Sequence, residues 1–237
     1  MNETISFLCT FTLYFNKMQE QYKKDASYYC GYREDLFPLI PGNVKRSLDV
    51  GCGEGGFSLK LKEDMNTETW GIEIDKKSAE IAQNNLDKVL VGSYEDVSDQ
   101  LPKKYFDWIF FNDVLEHMIE PEDCLIKSIE NLSDDGHIMV SIPNMRQAKV
   151  LAELIIYKDW RYKISGIQDK THLRFYTKKS LMRMISECNY EIESIRGINP
   201  MKHWLISLAN ILTFNFFEDT KYQQFVVTAK PKNNPDF

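Results

Sequence analysis

Apolar and polar positions alternate in a regular way from residue 46 onward. Short runs rich in Val, Ile and aromatic residues predict buried strands, and stretches with apolar residues every three or four positions predict helices between them. The clearest helix covers 75–86, where Ala79, Ala82 and Leu86 recur at helical spacing. This alternation is typical of an α/β protein whose mostly parallel sheet is covered by helices on both faces. The seven predicted strands are SLDV near 47, TWGIEI near 70, KVLV near 88, DWIFF near 107, HIMVSI near 137, YEIESIRG near 190 and QQFVVTAK near 223.

The chain is predicted to divide into one α/β domain over 44–232 and a helical extension over 1–43 that ends at the turn Pro41-Gly42-Asn43. Inside the domain, residues 145–176 form a connection longer than a compact sheet needs, and such loops often bind substrate. Residues 199–219 form an apolar helical insertion between the last two strands, expected to act as a lid or an interface.

Composition narrows the class of protein. The 237 residues, 43% of them hydrophobic, suffice for one sizeable core, and a net charge of −6 offers no broad cationic field for nucleic acid. Five scattered cysteines without a CxxC pair fit a reducing cytoplasm. The apolar run 5–15 is too short to span a bilayer, and Glu3 stands where a signal peptide would carry positive charge. We therefore expect a cytoplasmic protein with no transmembrane segment; peripheral membrane contact and oligomerisation stay open.

A glycine-rich loop, LDVGCGEGGF, follows the first predicted strand and precedes a helix. Gly51, Gly53 and Gly56 also satisfy the GxGxxG spacing of NAD-binding proteins. Asp49, however, would repel a pyrophosphate, whereas S-adenosylmethionine (SAM) carries an ammonium and a sulfonium. Glu73 ends the second strand and could accept hydrogen bonds from the ribose hydroxyls of either cofactor. The loop predicts a nucleotide-type cofactor, and the acid favours SAM.

Four motifs in order resemble the class I SAM-dependent methyltransferase family: LDVGCGEG (48–55), WGIEID (70–75), FDWIFFNDVLEH (106–117) and GHIMVSIPN (136–144). The resemblance implies a Rossmann-like sheet of seven strands whose last strand runs antiparallel to the others. It also implies SAM as the methyl donor and S-adenosylhomocysteine as the product. Tyr28, Tyr29 and Arg33, in the extension, could close over this cofactor or simply pack against a helix.

The resemblance also assigns the cofactor contacts. The loop from Gly51 to Gly53 would hold the methionine part, Glu73 the ribose, and Ile74 would pack on the adenine. The turn after the fourth strand would lie beside the transferred methyl group. The cofactor-binding candidates are Asp49, Gly51, Cys52, Gly53, Glu73, Ile74, Ser93, Tyr94, Asn112 and Asp113.

One motif departs from the family pattern. Many relatives have Gly-Asp after the third strand, with a carboxylate that accepts from the adenine amine, but this chain reads Gly92-Ser93-Tyr94. The hydroxyl of Ser93 or the local backbone would then contact the adenine. Glu95 and Asp96 could substitute, or could simply begin a solvated helix.

The catalytic candidates lie mainly in the segment DKTHLRFYT (169–177), just before a helix that Thr177 could cap. His172 could take a proton from an acceptor hydroxyl, Asp169 could orient the imidazole, and Arg174 could hold a substrate carboxylate or phosphate. The alternative is that these residues tie a long loop to the sheet. His117 is a second candidate base, for which a structural or cofactor-shell role is favoured. No metal site is predicted.

The acceptor is suggested by resemblance alone. SIPN (141–144) and the segment 169–177 resemble a branch associated with bacterial polysaccharide and sugar-nucleotide pathways, which implies O-methylation of a sugar hydroxyl. Tyr157, Trp160 and Tyr162 could stack on a sugar or cover the sheet edge. The alternative is O- or N-methylation of a small metabolite such as a quinone or natural product. Two other classes remain open: a nicotinamide-dependent oxidoreductase, and a binding protein without turnover.

Overall fold

The computed structural model describes residues 32–201 and 210–232. The apolar run 5–15, most of the expected helical extension, and residues 202–209 of the expected apolar insertion lie outside the described residues. Among the described residues, no helix combines the length and apolarity needed to cross a bilayer.

The core of the molecule is a seven-stranded sheet in the order β3-β2-β1-β4-β5-β7-β6. β7 pairs antiparallel with both β5 and β6, and the other pairings are parallel, so the expected Rossmann-like sheet with an antiparallel last strand is confirmed. The strands are β1 (Arg46–Val50), β2 (Glu68–Glu73), β3 (Lys88–Val91), β4 (Phe106–Asn112), β5 (Leu132–Pro143), β6 (Tyr190–Pro200) and β7 (Tyr222–Pro231).

Helices cover both faces because successive residues of the central strands point to opposite sides. Trp108 and Phe110 of β4 pack on one face, whereas Ile109 and Phe111 pack on the other. The α-helices are α1 (Gly56–Met65), α2 (Lys76–Asn85), α3 (Tyr94–Val97), α4 (Pro121–Ser128), α5 (Ala148–Ile155) and α6 (Lys178–Glu187), and the 3₁₀ helices are Phe37–Leu39, Ser98–Gln100, Leu115–His117 and Glu218–Lys221.

Local sequence sets where the helices begin. Asp75 caps α2 by accepting a hydrogen bond from the backbone nitrogen of Ser78 at 2.9 Å. Thr177 caps α6, as expected, in a reciprocal pair with Ser180. The second cap ends the long connection after β5, so the segment 169–177 returns to the sheet at a defined place.

The sheet order reverses between β1 and β4, since the chain runs from β1 to β2 on one side and reaches β4 on the other. Such a reversal opens a crevice at the carboxyl ends of the strands, where open α/β sheets bind ligands. The glycine loop follows β1 and the motif Asn112-Asp113 ends β4. The topology therefore brings both predicted motifs to one crevice.

Candidate active site

The glycine loop turns sharply at the end of β1. Gly51, Gly53 and Gly55 all have positive φ, at 74°, 56° and 82°, a conformation that other residues rarely adopt. The backbone nitrogens of Gly51 and Cys52 both donate to the carbonyl oxygen of Ile72, at 2.8 and 3.0 Å. The loop is thus fixed to β2, with its backbone at the crevice.

Asp49 lies under this loop and is buried. The pKa of its carboxyl is raised to about 7, chiefly by burial. A hydrogen bond from Ser58, 3.0 Å from Oδ2, opposes this rise, and the nearby charge of Glu73 adds to it. A buried acid with this pKa readily ionises when a cation approaches, because the cation offsets the desolvation. Asp49 therefore fits the cationic cofactor that the sequence indicated.

Glu73 is also buried, and burial raises its pKa. Its Oε2 accepts from the backbone nitrogen of Gly53 and its Oε1 from that of Asp75, both at 2.8 Å. The carboxylate therefore joins the glycine loop to the start of α2, and its remaining lone pairs can still accept from a ribose. Ile74, the next residue, is 53% exposed, which leaves an apolar surface where the adenine is expected.

Two predicted cofactor residues have side chains already engaged within the protein. The hydroxyl of Ser93 caps α3: it accepts from the backbone nitrogen of Asp96 and donates to its carboxylate at 2.8 Å. Tyr94 is buried in the core, where its hydroxyl donates to Asn131 at 3.1 Å. The side chain of Cys52 is buried as well, and its thiol pKa is raised by burial. For these three residues, a contact with the cofactor would therefore come from the backbone and not from the side chain.

Asn112 and Asp113 lie at the carboxyl end of β4, as predicted. The amide oxygen and nitrogen of Asn112 are buried, and neither has a hydrogen-bond partner within residues 32–201 and 210–232. Buried amides are almost always paired, so this one indicates a ligand that supplies the missing partners. Asp113 has a φ of 54° and accepts from Gln224 Nε2 at 2.7 Å.

Arg33 reaches this end of the sheet from the amino-terminal side. Its guanidinium donates to the carboxylate of Asp113, to Ser141 Oγ at 3.0 Å and to Gln224 Oε1 at 3.1 Å. It therefore spans the carboxyl ends of β4 and β5 and reaches the start of β7. Its charge also lowers the pKa of Asp49. Sequence reasoning left open whether Arg33 closes over the cofactor, because no local pattern specifies contacts this distant along the chain.

His172 is buried next to a carboxylate that the sequence analysis did not select. Its Nδ1 lies 3.2 Å from the carbonyl oxygen of Ile167, so in the neutral ring Nδ1 carries the proton and Nε2 is the basic nitrogen. Nε2 lies 3.9 Å from Oε1 of Glu116, a side chain only 1% exposed. The His117 ring is 4.7 Å from the His172 ring, centroid to centroid, and its Nδ1 donates to the carbonyl oxygen of Thr171 at 3.0 Å.

Asp169 and Arg174, the other two catalytic candidates of this segment, make hydrogen bonds within the protein. Asp169 Oδ1 accepts from the backbone nitrogen and the hydroxyl of Thr171, at 2.8 and 2.7 Å, and so shapes the loop. The backbone nitrogen of His172 donates to the carbonyl oxygen of Asp169 at 3.1 Å, so the two residues are adjacent in the loop. Arg174 is exposed, and its guanidinium donates to the carbonyl oxygen of Ile119. A carbonyl 55 residues away thus holds the group expected to clamp a substrate anion.

Glu116, His117 and His172, termed here the two-histidine cluster, offer two kinds of chemistry. Each provides one ligand atom, and these atoms lie within 4.8 Å of one another. Two imidazoles and a carboxylate are a ligand set that divalent transition metals accept, and backbone carbonyls already orient both rings through Nδ1. The same arrangement also suits a buried imidazole base beside a carboxylate. The sequence pattern predicted no metal site and did not indicate that these three side chains come together.

A narrow cleft, too closed in this structure to admit a water molecule, adjoins the two-histidine cluster. Most of its lining is apolar, and the aromatic rings of Phe175 and Tyr176 contribute to it. The other lining residues are Glu116, Ile142, Pro143, Met145, His172 and Arg174. The cleft thus combines mostly apolar walls with the imidazole of His172, the carboxylate of Glu116 and the guanidinium of Arg174.

The fold and site together define a methyltransferase, and the comparisons agree. A family model described as a methyltransferase domain matches residues 18–195, and the chain belongs to this family. It is a SAM-dependent methyltransferase. The mitochondrial ubiquinone biosynthesis O-methyltransferase of Schizosaccharomyces pombe is 29% identical over 168 residues, 67% of this chain and 60% of that protein.

Two further similarities are with a second ubiquinone biosynthesis O-methyltransferase and with a solved structure. The ubiquinone biosynthesis O-methyltransferase of Idiomarina loihiensis is 25% identical over 174 residues, 69% of each chain. A solved structure of a SAM-dependent methyltransferase from Archaeoglobus fulgidus superposes with a TM-score of 0.65. That comparison covers 92% of this chain and 99% of the other at 17% identity, and so bears on the fold alone.

Proposed function

We propose that this chain is an O-methyltransferase whose acceptor is a hydroxyl on a small aromatic metabolite, such as a quinone precursor. The observation that carries the proposal is the buried imidazole of His172, held beside the carboxylate of Glu116 in an apolar cleft. A general base accelerates methylation of a hydroxyl because it removes the hydroxyl proton as the new bond forms. A carbon that is already nucleophilic, or an unprotonated amine, gains less from such a base.

The crevice supplies both charges that the methionine part of SAM requires. Asp49 would bind the ammonium, since its buried carboxyl ionises near neutral pH. Arg33 would bind the carboxylate by exchanging one of its hydrogen bonds to Asp113 for one to the ligand. The unpaired amide of Asn112 would complete the contacts nearby. These residues fit SAM and give NAD no comparable site for its pyrophosphate.

SAM supplies an activated methyl group on a sulfonium, so the chain contributes mainly position and one proton transfer. His172 Nε2 accepts the proton of the acceptor hydroxyl as the new oxygen–carbon bond forms and the methyl–sulfur bond breaks. The hydrogen bond from Nδ1 to Ile167 keeps the required tautomer. The carboxylate of Glu116 stabilises the imidazolium that results.

The lining of the cleft, which has to open to admit an acceptor, suits a flat, apolar ring better than a sugar. Phe175 and Tyr176 can pack against an aromatic ring, and Ile142 and Met145 add apolar surface. Arg174, which a sugar phosphate would need, donates instead to the carbonyl of Ile119. The names of the relatives, ubiquinone biosynthesis O-methyltransferases, also support the aromatic acceptor. The sugar acceptor inferred from the sequence therefore has less support than the quinone-type alternative.

The test is transfer of labelled methyl from SAM to a panel of acceptors. Prenylated dihydroxybenzoates and catechols should be methylated, and nucleotide sugars should not. His172→Ala should lower kcat by about 100-fold or more while leaving S-adenosylhomocysteine binding intact. His137→Ala is the matched control, because this histidine stacks on Trp108 at the start of the strands, far from the crevice. Transfer to nucleotide sugars alone, or equal losses in both variants, would overturn the proposal.

A further inference from the structure

A group of large apolar side chains is exposed beside the cleft, at the end of α5 and in the connection that follows it. Ile155, Ile156 and Tyr157 are between 68% and 74% exposed, and Tyr162 and Ile164 lie further along the same connection. α5 buries Val150 on its other side. Scattered exposed apolar residues are ordinary, but a contiguous group of this size marks an interaction surface.

A second exposed apolar segment contacts the start of α5. Ile211, Leu212 and Phe216 are exposed, and Phe214 is 97% exposed. The segment is tied to the start of α5, because Arg146 lies over the Phe216 ring at 5.9 Å and pairs with Asp219 at 2.7 Å. The two segments therefore lie at opposite ends of α5, and only residues 155–164 are termed here the docking face.

The docking face is set in a strongly cationic part of an acidic chain. Residues 146–179 contain nine Lys and Arg but three Asp and Glu, a net charge of +6 in a chain whose total is −6. Lys149, Lys158, Arg161 and Lys179 are exposed. The rest of the molecule carries the opposite sign, so an anionic partner is attracted to this side and repelled by the others.

We infer that the docking face binds the surface of an anionic phospholipid bilayer. Exposed Ile and Tyr side chains can enter the headgroup region while neighbouring Lys and Arg contact lipid phosphates, the combination found in interfacial membrane sites. A protein partner fits less well, because lysines are depleted from protein–protein interfaces. The inference stands on exposure and charge and does not depend on the identity of the acceptor.

The docking face also adjoins the entrance to the cleft. The Trp160 ring contacts the Phe175 ring at 5.8 Å, and Phe175 lines the cleft beside His172. A chain docked through this surface would take up its acceptor from the bilayer side. The glycine loop and Glu73, proposed to bind the cofactor, belong to β1 and β2, further along the sheet. This arrangement suits an acceptor that is itself dissolved in lipid.

The test is co-sedimentation of the full chain with vesicles of phosphatidylcholine alone, or of phosphatidylcholine and phosphatidylglycerol in equal parts. Binding to the anionic vesicles should be at least about tenfold stronger, and should fall by about tenfold between about 0.1 and 0.5 M salt as screening increases. Equal binding to both vesicles, or none to either, would overturn the inference.

Paired variants locate the surface. Ile155→Glu with Ile156→Glu should reduce vesicle binding at least about tenfold. The control, Ile81→Glu with Ile126→Glu, adds the same charge at exposed positions on α2 and α4 and should change it little. Unchanged binding of S-adenosylhomocysteine confirms that both proteins fold. Equal loss of vesicle binding in both pairs would refute the location. If the unaltered protein is a dimer that does not bind vesicles, and only the first pair of substitutions makes it monomeric, the face would be assigned to a second copy of the chain.

Discussion

The pH dependence of cofactor binding follows from the burial of Asp49. The carboxyl has a pKa of about 7 in the ligand-free protein, because burial disfavours its charged form and Glu73 repels it. An ammonium group bound beside it requires the ionised form. Binding should therefore release a proton, and the affinity for SAM should rise with pH until Asp49 is ionised before the ligand arrives.

The magnitude follows from that pKa. Below it, each pH unit leaves about tenfold less of the ionised form, so affinity at about pH 5 should be about 100-fold lower than its plateau above about pH 7. This corresponds to about 2.7 kcal/mol. The ligand-free protein should show the opposite trend. Because the folded-state pKa is raised, the contribution of Asp49 to the free energy of unfolding is largest at about pH 4 and is lost as pH rises to about 7.

Calorimetric titration with S-adenosylhomocysteine between about pH 5 and 7.5, in buffers of different ionisation enthalpy, measures both the affinity and the number of protons released. Asp49→Asn retains an acceptor for Ser58 but cannot ionise, so its affinity should be weaker at neutral pH and nearly independent of pH. A flat profile in the unaltered protein, or an equally steep one in Asp49→Asn, would refute the assignment of Asp49 to the ammonium.

Three further outcomes are expected. Glu73→Ala leaves the backbone nitrogens of Gly53 and Asp75 without their acceptor. It should therefore lower the free energy of unfolding by about 2 kcal/mol in urea titrations and weaken S-adenosylhomocysteine binding at least about tenfold. Unchanged stability and binding would contradict this. Gly71→Ala places a methyl group 2.5 Å from Cys52 Sγ and should cost about 1–3 kcal/mol in thermal unfolding, whereas a neutral result would show that the loop can move. Chelation by EDTA should leave turnover unchanged if the imidazole is the base, and a loss that divalent ions restore would assign the two-histidine cluster to a metal.

Much of the fold could be predicted from local pattern. Strands such as β4 are buried on both faces and therefore read as unbroken apolar runs, and helices such as α2 repeat their apolar positions at helical spacing. The cofactor crevice could be predicted too, because parallel strands place their carboxyl ends at one edge. The places of Asp49 and the glycine loop at this crevice could thus be predicted from their positions relative to β1 alone.

The sequence by itself determined which residue types stand at the crevice, whereas the tertiary structure decided what each side chain contacts. Tyr94 was a candidate for the cofactor, but its direction depends on the packing of α3 against Asn131, 37 residues away. The imidazole of His172 also lies beside Glu116, 56 residues away along the chain, because the loop folds back onto the turn after β4. Spacing along a chain specifies the period of an element, but not its rotation or its distant neighbours, which packing of the whole core sets.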